Sequence, residues 1–203
     1  MADNQVLMKI IKEPINENKE ASLMDKNKMI SMILNGAIGD QYGAPLEMLH
    51  WEYIANYYKD LSNYIITCKN EEPGKLYTYT DDTQMTISVM NILISVQSNL
   101  KNITKELVVS KYLENFEPYR GYCRQIYQLF FDMLIDGKNE TTLNMIDNGG
   151  IMRISPLAIS CFNESFEVIK DIVAIIHHPT HNNEIANEVR SEEHTSELQS
   201  HHP

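Results

Sequence analysis

Residues 79–96 read Tyr79-Thr80-Asp81-Asp82-Thr83-Gln84-Met85 followed by TISVMNILISV, and this stretch decides the fold class. Met85, Val89, Ile92, Leu93 and Val96 recur at helical spacing, which predicts a helix over 81–96 with one apolar face. Thr80 is placed to cap that helix, and two carboxylates in its first turn suit the positive end of the macrodipole. Capping alone accounts for the pattern. The same carboxylate and hydroxyl oxygens also suit a hard divalent cation such as Mg²⁺ or Mn²⁺. Neighbours in a helical turn point about 100° apart, so Asp81 and Asp82 can address two adjacent metals rather than chelate one.

Helical periodicity continues on both sides. Upstream, Ile30, Ile33, Leu34, Ala37 and Ile38 form one stripe, with Asp25 as its cap and Pro45 limiting its reach. Gly36, Gly39 and Gly43 each cost about 1 kcal/mol relative to alanine in a helix, which predicts close approach of another backbone or a ligand. Downstream, helices are expected over 105–116 behind Thr104, over 120–135 with Gly137 as the stop, and from Asn148 through Cys161. Another is expected over 164–177 behind Asn163, with Val168, Ile169, Ile172, Val173 and Ile176 facing inward, and a last one near Asn182. Residues 64–68 are the best strand candidate, and an isolated one. The fold class is all-α.

The 203 residues suffice for one domain with a real core. Asp and Glu number 28 against 17 Lys and Arg, a net charge of -11. That argues against a nucleic-acid partner held by its phosphates, but a metal-bridged pocket can still take a phosphate-bearing small ligand. No stretch approaches the roughly 18 apolar residues of a membrane helix. Cys68, Cys123 and Cys161 form no CxxC pair and read as reduced thiols of a cytoplasmic protein. Residues 1–24 read as a polar arm. From Arg190 to Ser200 the chain reads RSEEHTSELQS, which resembles the conceptual translation of a sequencing-library adapter. The reading is therefore a non-native tail over 190–203, a natural protein that continues past Val189, and an incomplete domain over 25–189.

Four other segments carry chemistry-bearing residues. GAIGDQYGAPLE (36–47) contains Asp40, a charge among glycines that needs a partner, and ends on Glu47. Gly121-Tyr122-Cys123-Arg124 is the second. The third is Asn148-Gly149-Gly150-Ile151-Met152-Arg153, whose Gly-Gly pair leaves N–H groups for an anion such as a diphosphate. Thr180-His181 is the fourth. Singly, each has a plain structural explanation: a solvated acid, a turn, a structural histidine. Taken in this order with YTDDTQM, they resemble the ADP-ribosylglycohydrolase family over about residues 28–189.

The resemblance implies a multi-helix orthogonal bundle around two Mg²⁺ ions, with Mn²⁺ as a substitute. Thr80, Asp81 and Asp82 match its metal ligands, and Glu47 matches an acid beside the metals and the scissile bond. Asn148, Gly149, Gly150, Met152 and Arg153 fall in the segment that lines the ADP-ribose pocket. Gly121 and Tyr122 match a loop packed on the ligand, and His181 a histidine near its diphosphate or ribose. Glu117, just before Pro118, is a second candidate acid. The implied reaction is hydrolysis of the N- or O-glycosidic bond between ADP-ribose and a protein side chain, or in a related ADP-ribosyl conjugate, by a monomer. Three departures stand out: Cys123 replaces a glycine, Ile151 replaces a small residue, and the family's second metal motif, Gly-Gly-Asp-x-Asp-Thr, does not occur. This chain is therefore expected to be inactive and poorly soluble. The rival expectation is a non-catalytic ADP-ribose-binding or structural protein on the same scaffold.

Overall fold

The computed structural model describes residues 26–60, 62–65, 67, 78–137, 142–145 and 148–183. In chain order the helices are α1 (Lys26–Gly43), α2 (Trp51–Tyr58), α3 (Asp81–Ser95), α4 (Lys105–Asn115), α5 (Arg124–Asp136), α6 (Ser155–Ser160) and α7 (Phe166–His177). Short 3₁₀ segments occur at Ala44–Leu46, Leu100–Asn102 and Asn148–Arg153. No strand occurs among the described residues; an isolated antiparallel bridge joins Asn144 to His181. The fold is all-α.

The axis of the structure is α3, which packs on α4, α6, α1 and the turn Asn148–Arg153. Its apolar face, Met85, Val89, Ile92 and Leu93, is buried with Val108 and Tyr112 of α4, Phe130 of α5, Leu157 of α6 and Ile176 of α7. Polar Thr86 and Ser88 are buried too, and each hydroxyl donates to the carbonyl four residues back, of Asp82 and Gln84. That local bond lets hydroxyls sit inside a helix core without a stranded donor. Tyr112 crosses from α4 and donates its buried hydroxyl to the Ile176 carbonyl, tying α4 to α7.

Several helix ends fall where expected: Thr80 and Thr104 cap α3 and α4, and Gly137 ends α5 in a left-handed conformation at φ 65°. Others do not. Residues 62–65 are helical rather than extended, with buried Tyr64 donating its hydroxyl to the Tyr42 carbonyl. The segment from Asn148 to Cys161 is broken at Ile154: Pro156 lacks an N–H and starts a new helix instead of continuing the turn. Ser165, not Asn163, caps α7: its hydroxyl accepts the Val168 N–H. Val168 is partly exposed rather than inward. In α1 only Ile33 of the stripe is buried, and a Cβ on Gly36, Gly39 or Gly43 meets nothing within 4 Å. Within the described residues, those glycines face open space. Asp25, the arm over 1–24, Cys68, the last helix beyond Asn183 and the tail over 190–203 lie outside the described residues.

Candidate active site

The first turn of α3 is where the acids meet. Asp40, from the last turns of α1, caps α3 from outside. One carboxylate oxygen accepts the Thr80 hydroxyl (2.6 Å), and the other accepts the Thr80 N–H (2.9 Å), the Thr83 N–H (3.1 Å) and the Thr83 hydroxyl (2.5 Å). A helix N-terminus needs such acceptors, and here another helix supplies them. The Thr80 hydroxyl, donating to Asp40, also accepts weakly from the Asp82 N–H at 3.4 Å. A hydroxyl has two acceptor lone pairs, so one remains for a cation.

Asp81 and Asp82 are half-buried and form no ion pair with any described residue. Burial raises the Asp81 carboxyl to about 7, with Asp82, Glu47 and Asp40 adding repulsion. Burial likewise raises Asp82 to about 6, helped by Asp40 and Glu47. Glu47 sits just past the turn Ala44–Leu46, solvent-accessible, its carboxyl raised by burial and by Asp40. The point where a Cβ on Gly121 would lie is 3.8 Å from Asp81 Oδ1 and 4.0 Å from Glu47 Oε2. Both carboxylates therefore border one spot, kept open by a residue with no side chain. Gly121 also has φ +90°, a conformation that glycine adopts freely. Cys123, by contrast, has φ −59°, so the loop makes no demand for glycine there.

The two aspartates face different sides. Asp81 looks toward Gly121 and Glu47, whereas Asp82 lines a small cleft with Gly36 and Ala37 of α1, Thr86 of α3, Met152 and Ser155. Oxygen-only donors and crowded carboxylates, with no neutralising base among the described residues, fit a hard divalent cation. The set is partial. Among the described residues no three His, Cys, Asp or Glu side chains converge to hold a metal by themselves.

The other predicted residues divide into two groups. Glu117 is bound to the Arg120 guanidinium (2.7 Å), and its N–H donates to Gln84 Oε1. The same Gln84 oxygen accepts the Tyr122 hydroxyl at 2.7 Å, while the Tyr122 ring packs on Phe116 and Phe130. Burial, with Asp81 nearby, drives the Tyr122 phenol well above its usual range. Behind this layer, Arg153 is fully buried, donates to the Thr180 hydroxyl at 2.6 Å and lies over the Tyr112 ring. His181 Nδ1 reaches the same hydroxyl at 2.8 Å. The turn bearing Asn148, Gly149 and Gly150 hangs between two helices: the Thr86 hydroxyl bonds the Met152 carbonyl, and His177 Nε2 lies 2.8 Å from the Gly150 carbonyl.

Glu47, Thr80, Asp81, Asp82 and Gly121 thus come together, with Met152 across the cleft from Asp82. Glu117 and Tyr122, partly buried, and Arg153 and His181, buried, form the polar scaffold behind them. Asp40, Gln84 and His177 were not among the sequence candidates for the site. Asp40 had a signal, a charge among glycines; Gln84 had a weaker one, an amide on an otherwise apolar helix; His177 resembled an ordinary basic residue at a helix end.

An all-α protein with an acidic, oxygen-lined spot at the mouth of a central helix has the donor types of a hard-cation site. The chain is matched over residues 21–189 by the model of one family, ADP-ribosylglycohydrolase, and belongs to it. No curated protein and no solved structure matched in the corresponding searches. The family makes it a glycohydrolase of ADP-ribose conjugates. No helix among the described residues is long and apolar enough to cross a membrane.

Proposed function

We propose a metal-dependent hydrolase that removes ADP-ribose from modified protein side chains through an N- or O-glycosidic bond. The observation that carries this is that Asp81 and Glu47 border one spot beside Gly121 while Asp82, the next residue, faces the adjoining cleft, with both aspartate carboxyls raised by burial and by neighbouring carboxylates. Thr80, Asp81 and Asp82 would hold Mg²⁺ or Mn²⁺, which supplies Lewis acidity toward sugar hydroxyls and water. Asp40 orients both threonine hydroxyls and keeps Thr80 aimed with a lone pair outward. Glu47, accessible and with its carboxyl raised, can hold or take a proton close to the reacting bond, as the acid or the base. Glu117, locked to Arg120, acts from behind by fixing the loop that carries Gly121. The Arg153–Thr180–His181 chain holds the turn Asn148–Arg153, whose N–H groups suit a diphosphate. Free thiols at Cys123 and Cys161 support a reducing, cytoplasmic setting, the acidic balance supports a non-nucleic-acid partner, and the active form is taken as a monomer.

A second reading, binding of ADP-ribose without cleavage, is favoured by one observation: the described donors are too few to enclose a metal unaided. The lack of a Gly-Gly-Asp-x-Asp-Thr segment in the sequence supports an inactive 203-residue chain. Calorimetric titration of ADP-ribose with and without Mg²⁺ tests both. The hydrolase reading expects Mg²⁺-dependent binding that Asp81→Asn removes; equal affinity in the presence of chelator would overturn the metal role. Release of ADP-ribose from Arg- or Ser-modified protein by this chain would refute its inactivity.

A further inference from the structure

The outer face of α2, which begins four residues past Glu47, has no role in the site just described. Trp51, Tyr53 and Tyr57 are 68%, 50% and 45% exposed, and Met48 stands fully in solvent. No residue of α2 is buried; Ile54 and Tyr58 make its inner side. At about 100° per residue, Glu52 projects between Trp51 on one flank and Tyr53 with Tyr57 on the other. The two tyrosine rings stack in parallel with centroids 5.2 Å apart. The Glu52 carboxylate is 63% exposed, with His50 Nδ1 at 3.9 Å. That spacing sets a carboxylate among exposed aromatic residues on one helix surface, and such a set suits a cation: ring quadrupoles and the anion attract it together.

The chain already holds one of its own cations this way. The Arg120 guanidinium lies 3.7 Å from the Tyr79 ring centroid and 5.1 Å from that of Tyr119, with the Glu117 carboxylate at 2.7 Å. On α2 Trp51, Tyr53 and Glu52 supply the aromatic and acidic parts, and no arginine or lysine among the described residues lies over the Trp51 or Tyr53 ring. Charge selects the occupant. Residues 47–60 carry Glu47, Glu52 and Asp60 against Lys59, within a chain of net charge -11. A phosphate backbone is repelled there; a segment bearing arginine or lysine is drawn in.

We propose that the α2 face binds a cationic segment of the protein to be processed, holding it beside Glu47. This deepens the hydrolase reading and rests on it only in calling that protein the substrate. Binding itself needs no ADP-ribose, so the two ideas fail separately.

Trp51 is the chain's only tryptophan, and its emission therefore reports on this face alone. The probe is an unmodified peptide of alternating arginine and glycine titrated into the 203-residue chain. A saturable change in Trp51 emission is expected, with affinity falling as salt rises. Glu52→Gln and Tyr53→Ser, both exposed and expected to leave helical circular dichroism unchanged, should each weaken binding about fivefold. Asp171→Asn, an exposed acid on α7, should leave it within about 1.5-fold, roughly the size of a screened surface charge. The proposal is overturned if the emission does not respond, or if a glutamate–glycine peptide responds equally. It also falls if Asp171→Asn weakens binding as much as Glu52→Gln, which would mean general attraction to an acidic protein. A larger response to single-stranded oligothymidylate would overturn it as well.

Discussion

Helices α3 and α4 begin almost alike. Thr80 precedes Asp81 and Asp82; Thr104 precedes Lys105 and Glu106; each threonine hydroxyl accepts an N–H of its own first turn. The electrostatics are opposite. Glu106 is fully exposed, and its own backbone bond, then Thr104, pull its carboxyl below the usual range. Asp81 is driven up to about 7 by burial and by Asp82, Glu47 and Asp40, and Asp82 to about 6 by burial and by Asp40 and Glu47. The macrodipole favours a carboxylate at both places, worth typically a few tenths of a kcal/mol to about 1 kcal/mol. At α4 that small gain is unopposed and the acid is a cap. At α3 desolvation and three neighbouring carboxylates outweigh it. A helix start that carries its acids at a cost in stability is shaped by something other than helix formation.

The largest expected effect tests what holds that costly arrangement together. Asp40→Ala leaves the N–H and hydroxyl of both Thr80 and Thr83 without their acceptor, in a half-buried setting. Unsatisfied buried donors cost roughly 1–3 kcal/mol each when water cannot reach them. Partial access here sets the expectation at about 3 kcal/mol in total, read from the urea midpoint. Asp40→Asn, which keeps an acceptor oxygen, should recover part of it. A loss no larger than that of an ordinary cap would show that α3 does not depend on α1.

How much of this was legible beforehand follows from the range of each interaction. The caps at Thr80 and Thr104 and the stop at Gly137 are local, made within four residues, and the sequence pattern finds them. The pairing of Asp40 with Thr80 and Thr83 spans 40 and 43 residues. The sequence could say that Asp40 needed a partner but not which one. The glycines of α1 misled for the same reason: their cost in a helix is local, whereas the space beside them depends on distant elements. Cys123 replacing a glycine looked disruptive until its φ of −59° showed that Gly121 alone carries the left-handed turn. Asn163 and Ser165 compete as caps two residues apart, a margin that propensity does not resolve.

The second effect is a pH dependence of unusual sign. Acids with raised native pKa bind protons more tightly when folded, so stability falls as pH rises through them. Between pH 5 and 7.5, without divalent cation, the chain should lose on the order of 2 kcal/mol as Asp82 and then Asp81 ionise, a figure discounted for their partial solvation. The double variant Asp81→Asn/Asp82→Asn should flatten that slope. Mg²⁺ should remove it in the wild type and do nothing in the double variant. A stability that rises across this pH range would place both carboxyls in ordinary surroundings. Third, and smaller, Thr104→Ala should cost about 1 kcal/mol, the usual worth of a cap, at every pH in that range and regardless of Mg²⁺.

The smallest effect is the sharpest on sign. Glu106→Gln removes a carboxylate whose native pKa is lowered, so its contribution exists above the ordinary glutamate range and fades as pH drops through the folded value. The variant should therefore be slightly less stable than the wild type at pH 7 and equal to it near pH 3. Asp81→Asn should do the reverse: more stable than the wild type at pH 8 without cation, and equal or weaker near pH 5, where the wild-type carboxyl is already protonated. The two substitutions change the same chemistry in the first turn of a helix, one and two residues past a threonine cap. Opposite signs in paired urea titrations at pH 8 would mean that tertiary surroundings, not the helix end, decide what each acid is for. A shared sign would return Asp81 to the role of a cap.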